Sequence, residues 1–374
     1  MRTQRLAIQE ISRTHPIGIV EPSDFVYQPS GEISTEEVFA DPRFSLFCFD
    51  LDNNTALFVE CADPEAVEKA PFYYQSQVEN AVGLVSMPIE AFHQIAATVP
   101  EPENGIILVH SVGRCGSTLI SKAFQAIPSV HSLSEPDDLT QLALLRGLGK
   151  ATDESITQLF ESSLKWRCKP RVGEPAKSVA IKTRSEVLVL ADLLGPRTSH
   201  CKHLFLYRDA VAWMRTIFKG FSPERDVYDS DLNEKMETGW ARMLPLVRGS
   251  RKEGQPMNPV QIRIMAWISC LESALKLQSL GIPLCPVRFE DLTAQPESIL
   301  RQVFDFCALA DVDFTKIQAV LERDSQAGTT YARELRKTQT RQLTPDLEQD
   351  IHHLLATRPM IQSHDFVVPG SLRP

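Results

Sequence analysis

Between His110 and Phe124 the chain reads HSVGRCGSTLISKAF. Glycines at 113 and 116 and hydroxyls at 117 and 118 lead from an apolar run into a segment of helical spacing. Such a turn gathers backbone N–H groups at a helix N-terminus, and a nest of this kind binds phosphate. In the nucleoside-triphosphate loop, GxxxxGK(S/T), the lysine bridges the β- and γ-phosphates and the hydroxyl binds magnesium. Here Ser117 takes the lysine's place, so the loop can hold a phosphate but has no device for a γ-phosphate. On the residues alone, a glycine turn capped by Ser117 or Thr118 is the other reading.

Such a loop must be positioned by a strand before it and a helix after it. GIILVH suits a buried strand, and Leu119, Ile120, Ala123, Phe124 and Ile127 fall on one helical face that ends at Pro128. The rhythm repeats. SVAIK is followed by a helical pattern over Val187, Leu188, Leu190, Ala191 and Leu194. HLFLYR is followed by DAVAWMRTIF, with Asp209 placed to cap. PLCPVRF is followed by an amphipathic helix over Pro296–Cys307. Strands alternating with helices predict a parallel sheet, whose ligands sit at the carboxyl ends of the strands. Those ends carry His110–Arg114, Lys182–Arg184, Arg208–Asp209 and Arg288–Asp291.

The N-terminal residues differ. SLFCFDLDNNTALFVECA reads as a hairpin turning at DNN, and PEPENG at Pro100–Gly105 is the natural boundary. The expected fold is α/β: a three-layer sandwich with a central, mostly parallel sheet and a P-loop, plus a smaller N-terminal α+β region. The expected division is an accessory region 1–103 and a P-loop domain 104–374. Helical stretches are predicted at Asp137–Gly149 and Glu154–Trp166, and VQIRIMAWISCLESALKLQ reads as a core helix. The polar segment Ser222–Asn258 is either a lid or substrate loop or a plain surface insertion.

Composition sets outer limits. The 374 residues suit two domains or one large decorated domain. A net charge of −9 argues against a protein that coats nucleic acid or acidic lipid. Eight scattered cysteines without a CxxC pair read as reduced core residues of a cytoplasmic protein, and their spacing fits no zinc site. No stretch approaches the ~20 apolar residues of a membrane span, and the N-terminus has no secretion signal.

VGRCGSTLI resembles the 5′-phosphosulfate loop of the PAPS-dependent sulfotransferase family, whose pattern is close to P-(K/R)-S-G-(T/S)-(T/S). Those enzymes take a sulfuryl group from 3′-phosphoadenosine 5′-phosphosulfate (PAPS) and release 3′,5′-bisphosphoadenosine (PAP). A donor without a γ-phosphate accounts for the missing lysine. The resemblance implies that Arg114 contacts the phosphate–sulfate bridge and that Cys115 (through its N–H), Gly116, Ser117 and Thr118 hold the 5′-phosphate. The chain departs from the pattern in Gly113 for proline and Cys115 for serine. LFLYRDAVAWMRTIF resembles the second family motif, in which a strand ends in arginine and a hydroxyl follows eight residues later. Arg208 and Thr216 are then implied to hold the 3′-phosphate, with Ala210 where the family often has proline. PLCPVRFEDLTAQPESILRQVFDFCAL resembles the late strand–helix element, in which Glu290 and Asp291 read as structural. RDSQAGTTYARELRK lies where the family closes a loop over the nucleotide and offers Ser325, Gly328 and Arg336. The resemblance covers about 105–368.

Sulfuryl transfer is an in-line displacement that needs cations near the bridging oxygen and a base for the acceptor's proton. No metal is required. Arg114 is one cation and Lys182 the second. The cytosolic branch places a histidine base two residues after that lysine; this chain has Arg184, which cannot deprotonate. Arg184 reads instead as a holder of substrate or phosphate, or as a solvated helix-start residue. The bacterial-type and tyrosyl-protein-type branches place a glutamate after the first helix, and Glu135 in SVHSLSEPDDL matches it. The resemblance therefore implies Glu135 as the base, with an amine or hydroxyl on a small molecule or biopolymer as acceptor. A P-loop kinase or NTPase, and a non-catalytic nucleotide-binding protein on the same fold, are the competing readings. Nothing in the sequence names the acceptor or an oligomeric state.

Overall fold

The N-terminal residues build an antiparallel sheet. Its strands are β1 (Gln4–Ile11), β2 (Phe25–Glu32), β3 (Phe44–Asp50), β4 (Thr55–Cys61) and β5 (Ala81–Pro88), in the order β2–β1–β5–β4–β3. The structure is a computed structural model that describes residues 2–13, 15–169, 176–219, 227, 229–310, 312–323 and 342–374. By compactness the chain divides into two units, Met1–Leu108 with Ile127–Arg184 and Val109–Ala126 with Ser185–Pro374.

In the first unit the expected hairpin is β3–β4. Asn54 turns it at φ 53°, a left-handed position that asparagine tolerates, and the Asp50 carboxylate accepts from Asn53 N (3.1 Å) and Nδ2 (2.7 Å). β3 is an edge strand of this sheet, and Gln141 covers part of that edge. Its side chain accepts from Phe49 N (2.7 Å) and donates to Phe49 O (2.9 Å), so it behaves as one more rung of the ladder. Phe25, Phe47, Leu57, Val59, Tyr73, Tyr74 and Leu133 share one core.

The strand–helix rhythm produces a second sheet, and it is parallel. It comprises β6 (Ile106–Ser111), β7 (Val130–Ser134), β8 (Ser178–Lys182), β9 (Lys202–Tyr207) and β10 (Leu284–Arg288), in the order β10–β9–β6–β8–β7. Four of the five strands match the predicted runs. β7, VHSLS, was not expected, because its serines hide a strand pattern. Ser132 and Ser134 are nevertheless buried, and the Ser134 hydroxyl donates to Pro71 O at 2.7 Å. Helices Asp138–Gly147 and Asp153–Arg167 lie close to their predicted places, and an ion pair between buried Asp138 and Arg167 ties them. Burial pushes the Asp138 carboxyl above its usual range, against the pull of Arg167.

In the second unit the core helix Pro259–Ser279 buries Ile264, Trp267, Ile268 and Leu271 of the expected stripe, while Leu275, also expected there, is half-buried. The helix expected over Val187–Leu194 differs. It is a 3-10 turn at Ser185–Leu190, one α-turn at Ala191–Leu194 and another 3-10 turn at Gly195–Arg197. The backbone is pressed close to its neighbours there: a Cβ on Gly195 would lie 3.2 Å from both Leu277 and Leu280. Within the polar segment, helices occupy Ser230–Ala241 and Pro245–Ser250, the first capped by Asp229. Ser325, Gly328 and Arg336 lie outside the described residues.

All eight cysteines are free, and all but Cys168 are buried. Burial pushes the Cys61 thiol up to about 11 and those of Cys168 and Cys285 to about 12, which suits packing residues. Among the described residues no helix is long and apolar enough to cross a membrane, and no group of three or more ligating side chains could hold a metal ion.

Candidate active site

The loop after β6 is built on left-handed backbone. Gly113, Arg114 and Gly116 have φ of 74°, 55° and 86°. The helix Ser117–Gln125 begins with Gly116 as its N-cap, and no cap side chain bonds its first turn. The N-cap position is thus held by Gly116 rather than by Ser117 or Thr118. Both hydroxyl residues are buried, and Arg114 is half-buried. Each surrounding contact fixes the loop from outside: Val112 N donates to Leu206 O (3.1 Å), the Cys115 thiol to Leu206 O (3.2 Å), and Trp213 Nε1 to Gly113 O (2.9 Å). Cys115 is fully buried and acts as a packing residue. The non-glycine left-handed residue Arg114 carries strain of about 1–2 kcal/mol, which is held only because these neighbours over-determine the turn.

Beside this loop in the same unit stands the predicted arginine–threonine pair. Arg208 directly follows β9, and its Nη1 donates to Thr216 Oγ1 at 3.1 Å, one helix turn beyond Ala212, whose carbonyl accepts from the same hydroxyl. Asp209 caps that helix through Ala212 N (2.7 Å). Its other oxygen meets His364 Nδ1 at 2.6 Å. Arg208 does not pair with Asp209. Its guanidinium lies 4.5 Å from the centre of the Phe289 ring, with Glu290 Oε1 3.7 Å from its Nε. Glu290 also meets Arg288 at 3.2 Å. Burial lowers the Arg208 pKa from its ordinary value, while Glu290 raises it. Gly116 closes this group: a Cβ there would lie 3.0 Å from Leu292 and 3.3 Å from Phe289.

In the first unit, Lys182 and Glu135 come together as a side-chain ion pair at the ends of β8 and β7. The lysine side chain is 3% exposed and the glutamate 16%. Glu135 sits at φ 63°, and its N–H donates to Lys182 O at 2.7 Å. Lys182 Nζ also lies 3.4 Å from Ser134 Oγ. Arg184 is neither solvated nor open: it binds the buried Asp137 carboxylate at 3.1 and 3.2 Å.

Trp213, Phe289 and Asp137 were not anticipated as parts of these groups. For Trp213 the only sequence signal was its place on the helix after Arg208; for Phe289 it was adjacency to Glu290. Asp137 gave none, because its partner is 47 residues away.

No protein-family model and no curated protein matches the chain. Solved structures do resemble it. One is the sulfotransferase domain of the olefin synthase of Synechococcus PCC 7002, at 14% identity and a TM-score of 0.35 over 72% of this chain and 93% of that one. Another is sulfotransferase STF1 of Mycobacterium tuberculosis H37Rv, at 12% identity and a TM-score of 0.40 over 63% and 77%. A third is a sulfotransferase of Alicyclobacillus acidocaldarius, at 14% identity and a TM-score of 0.40 over 69% and 92%. In fold, the chain is similar to bacterial sulfotransferase domains.

Proposed function

We propose that the chain is a sulfotransferase that moves a sulfuryl group from PAPS to a hydroxyl or amine acceptor. The observation that carries this reading is the pairing, within one unit, of a lysine-free phosphate turn with a second cationic anchor. Gly113–Thr118 offers backbone donors at a helix N-terminus, and Arg208 with Thr216 offers a guanidinium and a hydroxyl. One anchor suits a 5′-phosphate and the other a 3′-phosphate. An anion suits this turn: Gly113, where nothing lies within 4 Å of a Cβ, leaves its backbone open, and Ser117 stands where a γ-phosphate lysine would be.

In the proposed reaction the acceptor's oxygen or nitrogen attacks sulfur and its proton passes to the Glu135 carboxylate. The bond from sulfur to the bridging oxygen breaks, and PAP leaves with the electron pair. Arg114 and Lys182 stabilise the charge that develops on the bridging and equatorial oxygens. The proton on Glu135 then returns to solvent. Residues 104–374 would carry this chemistry and residues 1–103 an accessory role. The acceptor is a small molecule or a polymer, and free cysteines suit a cytoplasmic setting.

Melting curves test the reading. A ligand at 100 times its dissociation constant adds about 2.7 kcal/mol. PAP is expected to raise Tm by several degrees and ATP–magnesium to raise it less. A larger shift with ATP–magnesium would identify a nucleoside-triphosphate site instead. PAP stabilisation without turnover of labelled PAPS, to any acceptor or to water, would favour the non-catalytic reading.

Arg114→Gly gives a second check. Removing the left-handed strain is worth about 1 kcal/mol of stability. Transfer is expected to fall by at least about 10²-fold, as for other lost charge-stabilising donors. Unchanged transfer in labelled-PAPS assays would remove Arg114 from the proposed machinery.

A further inference from the structure

The ends of β7 and β8 carry two ion pairs in sequence. Ser134 and Lys182 are register partners in the parallel pairing. Beyond them the side chains continue the ladder: Glu135 with Lys182, then Asp137 with Arg184. The second rung does more than join two strand ends. Arg184 Nη2 donates to Ile17 O at 3.1 Å and Nη1 to Gly18 O at 3.4 Å, while Val20 N donates to Asp137 Oδ2 at 2.9 Å. The same guanidinium lies 5.2 Å from the centre of the Tyr74 ring. One ion pair, of a half-buried arginine with a buried carboxylate, therefore stitches the 17–20 loop to the turn that carries Glu135.

That turn has reason to need a stitch. Glu135 is a non-glycine residue at φ 63°, a conformation that persists only where surroundings enforce it. Its own N–H, bonded to Lys182 O, fixes it on one side. Two residues on, the Asp137–Arg184 pair fixes the other side, with the Asp137 side chain fully buried. A planar fork that meets a carboxylate and two carbonyls together sets geometry in a way a point charge cannot.

We infer that Arg184 and Asp137 are positioning residues for Glu135, and that the 17–20 loop is thereby built into the acceptor side of the site. This rests on the proposed role of Glu135 as base. Arg184 binds no substrate in this scheme. It holds the turn so that the carboxylate meets the acceptor's proton, and a misplacement of about 1 Å can cost about 10²-fold in rate.

The experiment uses the full chain and labelled PAPS with water as acceptor. Active sites are titrated with PAP, so that a smaller folded fraction does not lower kcat per site. The main variant is the double Asp137→Asn/Arg184→Gln, which leaves no buried charge stranded and keeps an amide pair across the rung. Its kcat per site is expected to fall about 10- to 100-fold while KM for PAPS changes less than about twofold. Arg184→Lys is expected to recover part of kcat, because it keeps the charge but not the fork. A double variant at the wild-type kcat would overturn the inference. So would a rise in KM at constant kcat, which would make Arg184 a binding residue. Glu135→Gln runs in the same assay. If it turns over like wild type, the base assignment itself has failed; if it alone is slow, only the positioning role has.

Discussion

Glu135→Gln is expected to lower turnover by about 10²- to 10⁴-fold, the usual worth of a general base. The melting shift given by PAP is expected to stay, because the proposed phosphate anchors are residues 113–118, 208 and 216. The substitution has a second consequence. It leaves Lys182, whose side chain is 3% exposed, facing a neutral amide in place of a carboxylate. A buried charged group that loses its ionic partner costs about 3–5 kcal/mol. Urea unfolding is expected to show that loss in Glu135→Gln. Adding Lys182→Met is expected to restore most of it, because no charge is then stranded. Turnover is not expected to return, since base and cation are both gone. Stability and activity thus separate in one short series. Wild-type turnover in Glu135→Gln would end the case for this base.

Gly116→Ala is expected to weaken PAP binding by more than tenfold and to cost more stability than the same change at Gly113. Both glycines are left-handed, at φ 86° and 74°, so each alanine carries a backbone penalty of about 1–2 kcal/mol. Only Gly116 adds a collision. Its Cβ would meet Leu292 at 3.0 Å and Phe289 at 3.3 Å, whereas nothing lies within 4 Å of a Cβ on Gly113. The leucine end can give way. The phenylalanine ring is less free, because the Arg208 guanidinium lies against it at 4.5 Å. Displacing the ring disturbs Arg208, the proposed second phosphate anchor, along with the 113–118 turn. Calorimetric titration with PAP and urea unfolding of the two variants measure this difference. Equal losses at both positions would show that Phe289 does not couple the anchors.

The legible parts of the site are those whose parts are close in sequence. Gly113–Thr118 announces a turn into a helix because glycine and hydroxyl residues act on their immediate backbone. Arg208 and Thr216 were legible through the resemblance to a family motif in which a hydroxyl follows a strand-end arginine by eight residues, and the two side chains do meet. Asp209 announces a cap, and it forms one. The β3–β4 hairpin and the core helix at Pro259–Ser279 were readable for the same reason: each is a local pattern of apolar spacing bounded by turn residues. β7 was not readable, since serine at buried positions looks like loop until a neighbour supplies its hydrogen bond, here the Pro71 carbonyl. The turn sequence after β8 was also obscured. Its apolar spacing fits an α-helix, but close packing against Leu277 and Leu280 leaves short 3-10 turns.

The sequence by itself determined the strand–loop–helix turn at 113–118, the absence of a lysine at 117, the Asp209 cap and the parallel α/β class. Each follows from propensity and spacing over fewer than ten residues or from their repetition. The tertiary structure alone decided which charges meet. Lys182 and Glu135 pair across 47 residues because the parallel register sets Ser134 opposite Lys182, and the next side chains follow that ladder. Arg184 was open to several readings until the same register placed it on Asp137. Phe289 touches the phosphate loop only because the helix after β10 packs there. Register and packing are set by the whole sheet, so no stretch of sequence carries them locally.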